Sequence, residues 1–240
     1  MDRIKIKHQA LSYVREGKPS PVTAGIILAA ITLIFSILTA KLIGVQIDTD
    51  FLRNAFSTFD VDSLINYFES QFPTPMESFL AALLRLLESI LTAGLVIFVL
   101  NVINNADASY WNLLDGFGII IRLIILEALT ALFIALWSLL LVIPGIIAFY
   151  RYRFAIFILI ENPDMGVMDC IRESKRLTKG FKWELFVLDL SFIGWAILCS
   201  LPYIGYIARI WFLPFYNFAF ALYYKQRLVI DRSGSFEPGI

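Results

Sequence analysis

Four stretches of this chain run for about the length of a membrane crossing without a single charge. They are Pro19–Ala40 (22 residues), Ser89–Ala106 (18), Ala128–Tyr150 (23) and Leu190–Ala208 (19). A helix rises about 1.5 Å per residue, so ~20 apolar residues cover ~30 Å of hydrocarbon. A chain of 240 residues that is 59% apolar, 15% aromatic and 17% charged lies outside the range of water-soluble domains. Two shorter segments, Ile146–Ile160 and Ile210–Tyr224, are further candidates. The fold class expected is therefore all-α, a polytopic membrane helix bundle.

The net charge is zero, and its distribution says more than its sum. Five basic residues precede the first apolar run (Arg3, Lys5, Lys7, Arg15, Lys18). Five more lie between 161 and 184 (Arg172, Lys175, Arg176, Lys179, Lys182), and three follow 224 (Lys225, Arg227, Arg232). Loop 41–77 holds two basic residues against six acids. Because basic loops stay cytoplasmic, both termini and loop 161–184 are expected inside and loop 41–77 outside, which demands an even number of spans. The first run exceeds the apolar core of a cleaved signal and lacks a small-x-small site, so a retained anchor is expected. Cys170 and Cys199 then fall on opposite sides and do not pair.

Threading the chain gives about six spans, with N- and C-termini cytoplasmic. Residues 1–20 form a cytoplasmic or interfacial segment, 21–228 a single transmembrane domain, and 229–240 a tail. Within 48–77, Phe51, Leu52, Ala55, Phe56 and Phe59 recur at helical spacing between acids, which predicts external amphipathic helices. Phe117–Ile160 is the longest problem: 44 residues in one helix would reach ~66 Å, about twice the membrane. Pro144 and Gly145 are the expected turn, between a third span at about 117–142 and a fourth at about 146–160. Asn162 and Pro163 end the fourth, and a cytoplasmic helix at 164–179, capped by Asp164, stops at Gly180. The fifth span is expected at 183–201 and the sixth at 208–224. A faint parallel repeat pairs Gly116-Phe117 with Gly180-Phe181, and Pro144 with Pro214 as breakers.

Charges inside these spans mark where polar chemistry collects. Arg85 and Glu88 are three apart and can pair along one helix. The deeper set is Glu127, Asp189, Arg122 and the pair Arg151 and Arg153, flanked by Tyr150 and Tyr152. A charge at mid-bilayer costs about 2.5–3.5 kcal/mol on insertion scales, so such groups face protein or water and pair. Arg151 and Arg153 point ~200° apart around a helix, so one is expected inward against Glu127 or Asp189 and the other elsewhere. Two readings follow: a buried ion-pair network that fixes helix register, and a net-cationic polar site for an anionic headgroup, a solute or a proton relay.

On the predicted cytoplasmic helix, Arg172, Lys175, Arg176 and Lys179 form one basic stripe opposite Val167, Cys170, Ile171, Ser174 and Leu177. Such a helix suits the anionic headgroups of a lipid bilayer, or a protein partner. Catalytic signals are poor. The one histidine, His8, supports neither a metal centre nor a triad, and no GxxxxGK or GxGxxG occurs. No enzyme, no cofactor and no nucleic-acid partner is expected.

The motifs IPG at 143–145, YRY at 150–152, ENPDM at 161–165, Ser174-Lys175, Lys179-Gly180 and LSFIGW at 190–195 resemble a family of bacterial integral membrane proteins known as domain of unknown function 975. The resemblance is dense from about 110 to 200. Pro214-Phe215 and Tyr223-Tyr224 stand roughly where similar proteins carry later aromatic pairs. It implies a multi-pass protein of the cytoplasmic membrane in Gram-positive bacteria and brings no activity. Two functions are therefore expected: a transport-related component with a polar, net-cationic site, or a non-catalytic accessory protein that binds membrane proteins, peptides or anionic lipids.

Overall fold

The computed structural model describes residues 3–42, 61, 73–201 and 204–233. Among these residues every regular element is helical. Apart from 61 and 73–77, the amphipathic segment expected at 48–77 lies outside the described residues. The helices are α1 (Arg3–Glu16), α2 (Pro21–Leu42), α3 (Pro75–Ile103), α4 (Asn112–Asp115, continued by a 3₁₀ turn), α5 (Ile120–Leu140), α6 (Val142–Arg151), α7 (Ala155–Glu161), α8 (Val167–Leu177), α9 (Lys182–Leu190), α10 (Ile193–Ser200) and α11 (Ile204–Arg232). They group into two compact units, one of residues 1–29 and 90–240, the other of residues 30–89.

The smaller unit carries the start of α3, whose sequence dictates its end. Thr74 precedes Pro75, and Glu77 follows three residues on. The Thr74 amide donates to the Glu77 carboxylate at 2.7 Å, and the Glu77 amide donates back to the Thr74 hydroxyl at 3.3 Å. This reciprocal box, with proline in the first turn where its missing N–H costs nothing, fixes the helix start.

By length and composition, four helical segments suit a membrane crossing: 21–42, 75–103, 112–140 and 142–161. The bent pair α9 and α10 makes a fifth if counted as one. Among the described residues that criterion is met four to five times. The expected sixth span, 208–224, does lie within a helix, but Arg209, Asn217 and the tyrosines of α11 dilute its hydropathy.

In the larger unit α3 ends on a left-handed Asn105 (φ 52°), with Ala106 N–H reaching the Asn101 carbonyl at 2.9 Å and Asn105 N–H reaching Val102. That pair of bonds satisfies carbonyls the helix would leave bare. The following hairpin turns earlier than its sequence suggests. The break is Leu141, extended at φ −163°, ψ 151°, and Pro144 sits in the first turn of α6. A proline there removes an N–H that lacks an intrahelical acceptor anyway, so it starts a helix rather than stopping one. Gly145 serves the close approach of the two arms: a Cβ on it would lie 2.1 Å from the Ser138 hydroxyl.

Two more expected spans are broken. The fourth is interrupted at Tyr152–Phe154, between α6 and α7. The fifth is bent by 48° at Ser191 and Phe192, between α9 and α10. Pro214, expected as a breaker, lies inside the continuous α11. Its missing N–H frees the Ile210 carbonyl, and Gly25 of α2 packs there so closely that a Cβ would come within 2.1 Å of that oxygen. Helix α8 begins at Val167 with Gly166 as its cap, not Asp164, and Gly180 follows its end at φ 83°.

The core sits around α11, where Phe154 and Phe157 pack on Tyr223 and Tyr224 with ring centroids 5.4–6.1 Å apart. The N-terminal helix docks on the same element. Ile6, Ala10 and Val14, four apart on one face, are buried, and Tyr13 stacks on Phe218 at 5.5 Å.

Candidate functional site

Each helix break leaves backbone groups without their i→i−4 partners, and an unpaired buried polar group costs about 1–3 kcal/mol. At the first break the remedy comes from α8. The fully buried Ser174 hydroxyl accepts the Phe154 amide at 3.1 Å and donates to the Arg151 carbonyl at 2.9 Å. Thr178, also fully buried, donates toward the same carbonyl at 3.2 Å. At the second break the remedy comes from α1, whose Lys7 ammonium donates to the Ser191 carbonyl at 3.0 Å and lies 4.3 Å from the centre of the Phe192 ring.

Because the first break falls between them, Arg151 and Arg153 leave the helix in different surroundings. Arg153 donates to the Tyr216 hydroxyl oxygen. Its guanidinium lies 4.4 Å from the ring centre of Phe220, 5.2 Å from Tyr216 and 5.5 Å from Phe149. Tyr216 in turn donates to Asp189 Oδ1 at 2.7 Å, and Tyr150 donates to Asp189 Oδ2 at 2.9 Å. The result is a relay, Arg153–Tyr216–Asp189–Tyr150, that ties the break to α11, α9 and α6. A phenol between a cation and an anion shares the charge of both, and aromatic faces replace part of the water the guanidinium has lost.

The other expected site residues are dispersed. Arg151 lies over Trp137 at 5.7 Å, and its Nε is buried with no hydrogen-bond partner. Arg153 meets Asp189 through the intervening Tyr216. Glu127 is on the exposed side of α5. Tyr152 packs on Phe133 at 5.9 Å. Arg122 lies outside the relay and donates to the carbonyls of Met165 at 2.5 Å and Asn162 at 3.4 Å, so it holds the turn after α7.

The stripe on α8 is less basic than its sequence. Arg172 pairs with Asp169 at 2.7 Å. Arg176 pairs with Glu173 at 2.6 Å and takes Asp231, near the end of α11, in a two-pronged contact at 2.7 Å. Those bonds raise Arg176 above its ordinary range, and the Arg176 side chain holds the Asp231 carboxyl below the usual carboxylate range. Lys175 and Lys179 are exposed, and among the described residues neither forms an ion pair. Cys170, on the inner face, is fully buried, and that burial pushes its thiol up. No cluster of three or more metal-ligating side chains occurs among the described residues.

The motifs of the sequence fall on the structural irregularities. IPG lies just past the hairpin tip, YRY at the first break, ENPDM at the turn held by Arg122, Ser174 across the break, and LSFIGW at the second break. Residues 139–228 match the model of a family described as Protein of unknown function (DUF975). The match covers 90 of the 240 residues. The matched region starts near the hairpin tip rather than at about 110, and it ends within α11, so that it includes Tyr216 and Phe220. No curated protein and no solved structure matches the chain.

Sequence reasoning missed Tyr216, Lys7 and the role of Ser174. A tyrosine in a phenylalanine-rich helix was a legible hint, since a buried phenol seeks a partner. Lys7 gave no such signal.

Proposed function

We propose that this chain is a non-catalytic accessory protein of the membrane, which associates with other membrane components rather than passing a solute through its polar core. One observation carries the reading. Both oxygens of Asp189 are engaged by the chain's own tyrosines, and Arg153 is enclosed by three aromatic rings. A transport site needs groups that exchange partners with a passing solute, and the Asp189 carboxylate is satisfied at home, while Arg153 keeps one buried Nε without a hydrogen-bond partner among the described residues. A second point supports association: only 11% of the apolar window of Asn112–Leu140 is buried, against 56% for Pro75–Ile103. Leu132, Leu136 and Trp137 lie on that open face.

Transport of an anionic or amphiphilic solute is the second reading, favoured by Arg151, whose buried Nε has no hydrogen-bond partner among the described residues. Vesicles reconstituted with the full chain separate the two. The accessory reading expects no flux of anionic solutes above protein-free vesicles, and expects a photo-crosslinker at Leu136 to capture a second membrane protein in native membranes. Flux that Arg151→Gln abolishes would overturn it.

A further inference from the structure

Beside the relay, α6 and α9 leave a groove of about 440 Å³. Its walls are Ile143, Ile146, Ile147, Trp183 and Phe186, and the polar groups lining it are the Tyr150 hydroxyl and Lys182. The Tyr150 hydroxyl is committed to Asp189. Lys182 is not committed to any acid. Among the described residues it forms no ion pair, and the charges acting on it are Arg151 and Lys175, both cationic. Arg151 adds a buried Nε with no hydrogen-bond partner among the described residues. One cation, Lys182, thus lines an apolar slot while two more, Arg151 and Lys175, act on its charge from outside the lining, and like charges repel unless an anion joins them.

From this we infer that the groove between α6 and α9 holds one acyl chain of an anionic phospholipid, its phosphate seated on Lys182, with Arg151 and Lys175 adding positive charge nearby. The charge pattern selects the occupant, because a neutral lipid fills the slot and leaves the cations unanswered. Position agrees. Trp183, 72% exposed, neighbours Lys182 at the start of the α9–α10 span, and a tryptophan beside a lysine marks the headgroup level. Ile143, Ile146 and Ile147 extend from there toward the hairpin tip, where Leu139–Val142 are all widely exposed. The inference deepens the accessory reading by naming a lipid class, and it stands or falls separately from any protein partner.

Trp183 reports directly on the slot. The full chain is reconstituted in phosphatidylcholine vesicles doped with equal fractions of brominated phosphatidylglycerol or brominated phosphatidylcholine, and the quenching lost in Trp183→Phe is assigned to that residue. Each cation near a lipid surface is worth roughly a fivefold preference for an anionic headgroup. Brominated phosphatidylglycerol is therefore expected to quench Trp183 at a several-fold lower mole fraction. Lys182→Gln and Arg151→Gln each lower that preference, and Lys179→Gln, on the open stripe, leaves it unchanged. Lys182 is half-buried at a helix start, so unaltered helical circular dichroism in Lys182→Gln keeps the comparison valid. Equal quenching by the two lipids, or a preference that survives Lys182→Gln, overturns the site. So does protection of Trp183 from both lipids in native membranes, which would mean that a protein helix fills the groove.

Discussion

The hydroxyl of Ser174 takes the place of the peptide that Phe154 lacks: it accepts the Phe154 amide at 3.1 Å while donating to the carbonyl three residues back, on Arg151. One side chain on α8 thereby closes a gap in the preceding span. Both residues are fully buried, so no water replaces the bond.

Ser174→Ala is expected to lower stability by about 1–3 kcal/mol, because it strands a buried donor and a buried acceptor together. Thr178→Val should cost less, since Ser174 still serves the Arg151 carbonyl. Denaturant unfolding in detergent measures both, and equal losses would refute the division of labour.

The relay predicts non-additivity. Tyr150→Phe and Tyr216→Phe each remove one donor from Asp189, and Tyr216→Phe also removes the acceptor that Arg153 uses. Tyr216→Phe should be the more damaging, and the pair should show a coupling of about 0.5–3 kcal/mol in a double-mutant cycle. A coupling near zero would mean that the two phenols act independently.

Acid should loosen the contact between α8 and the end of α11. The Asp231 carboxyl is held below the usual carboxylate range by Arg176. A depressed folded value means the contribution is complete above the ordinary carboxylate pKa and is lost as pH falls through the folded one. Protection factors near 227–232, taken relative to the intrinsic exchange rate at each pH, should therefore fall at low pH in the parent chain. In Asp231→Asn they should already be low at neutral pH and change little below it.

Two glycine replacements should differ in whether they can be rescued. Gly145→Ala meets the Ser138 hydroxyl, so Ser138→Ala should recover part of the loss. Gly25→Ala meets the Ile210 carbonyl, which no side-chain change can move, and overpacking of this kind costs about 1–3 kcal/mol. Thermal melts of the single and paired variants decide it.

Much of the architecture was readable from charge-free runs, because membrane-crossing length is a property of contiguous sequence. The amphipathic α8 was readable for the same reason: Cys170, Ile171, Ser174 and Leu177 share one face and are buried. The breaks were not. Leu141, Tyr152 and Phe192 have no local signature of a stop, and their backbone deficits are met by groups supplied from a distance, Ser174 for one and Lys7 for another. The prolines misled because position within a turn, rather than presence, decides what proline does. The ionic site was half legible. Burial forced Asp189 and Arg153 to find company, but Tyr216, which joins them, follows Asp189 by 27 residues and could be located only in three dimensions.

Lys7 and the oxygen it serves are 184 residues apart in the chain. During synthesis α1 therefore leaves the ribosome long before its acceptor exists, carrying Ile6, Ala10 and Val14 uncovered. The second broken span cannot be finished in the order in which it is made: its last stitch is sewn with the first thread, once α11 has arrived to receive it.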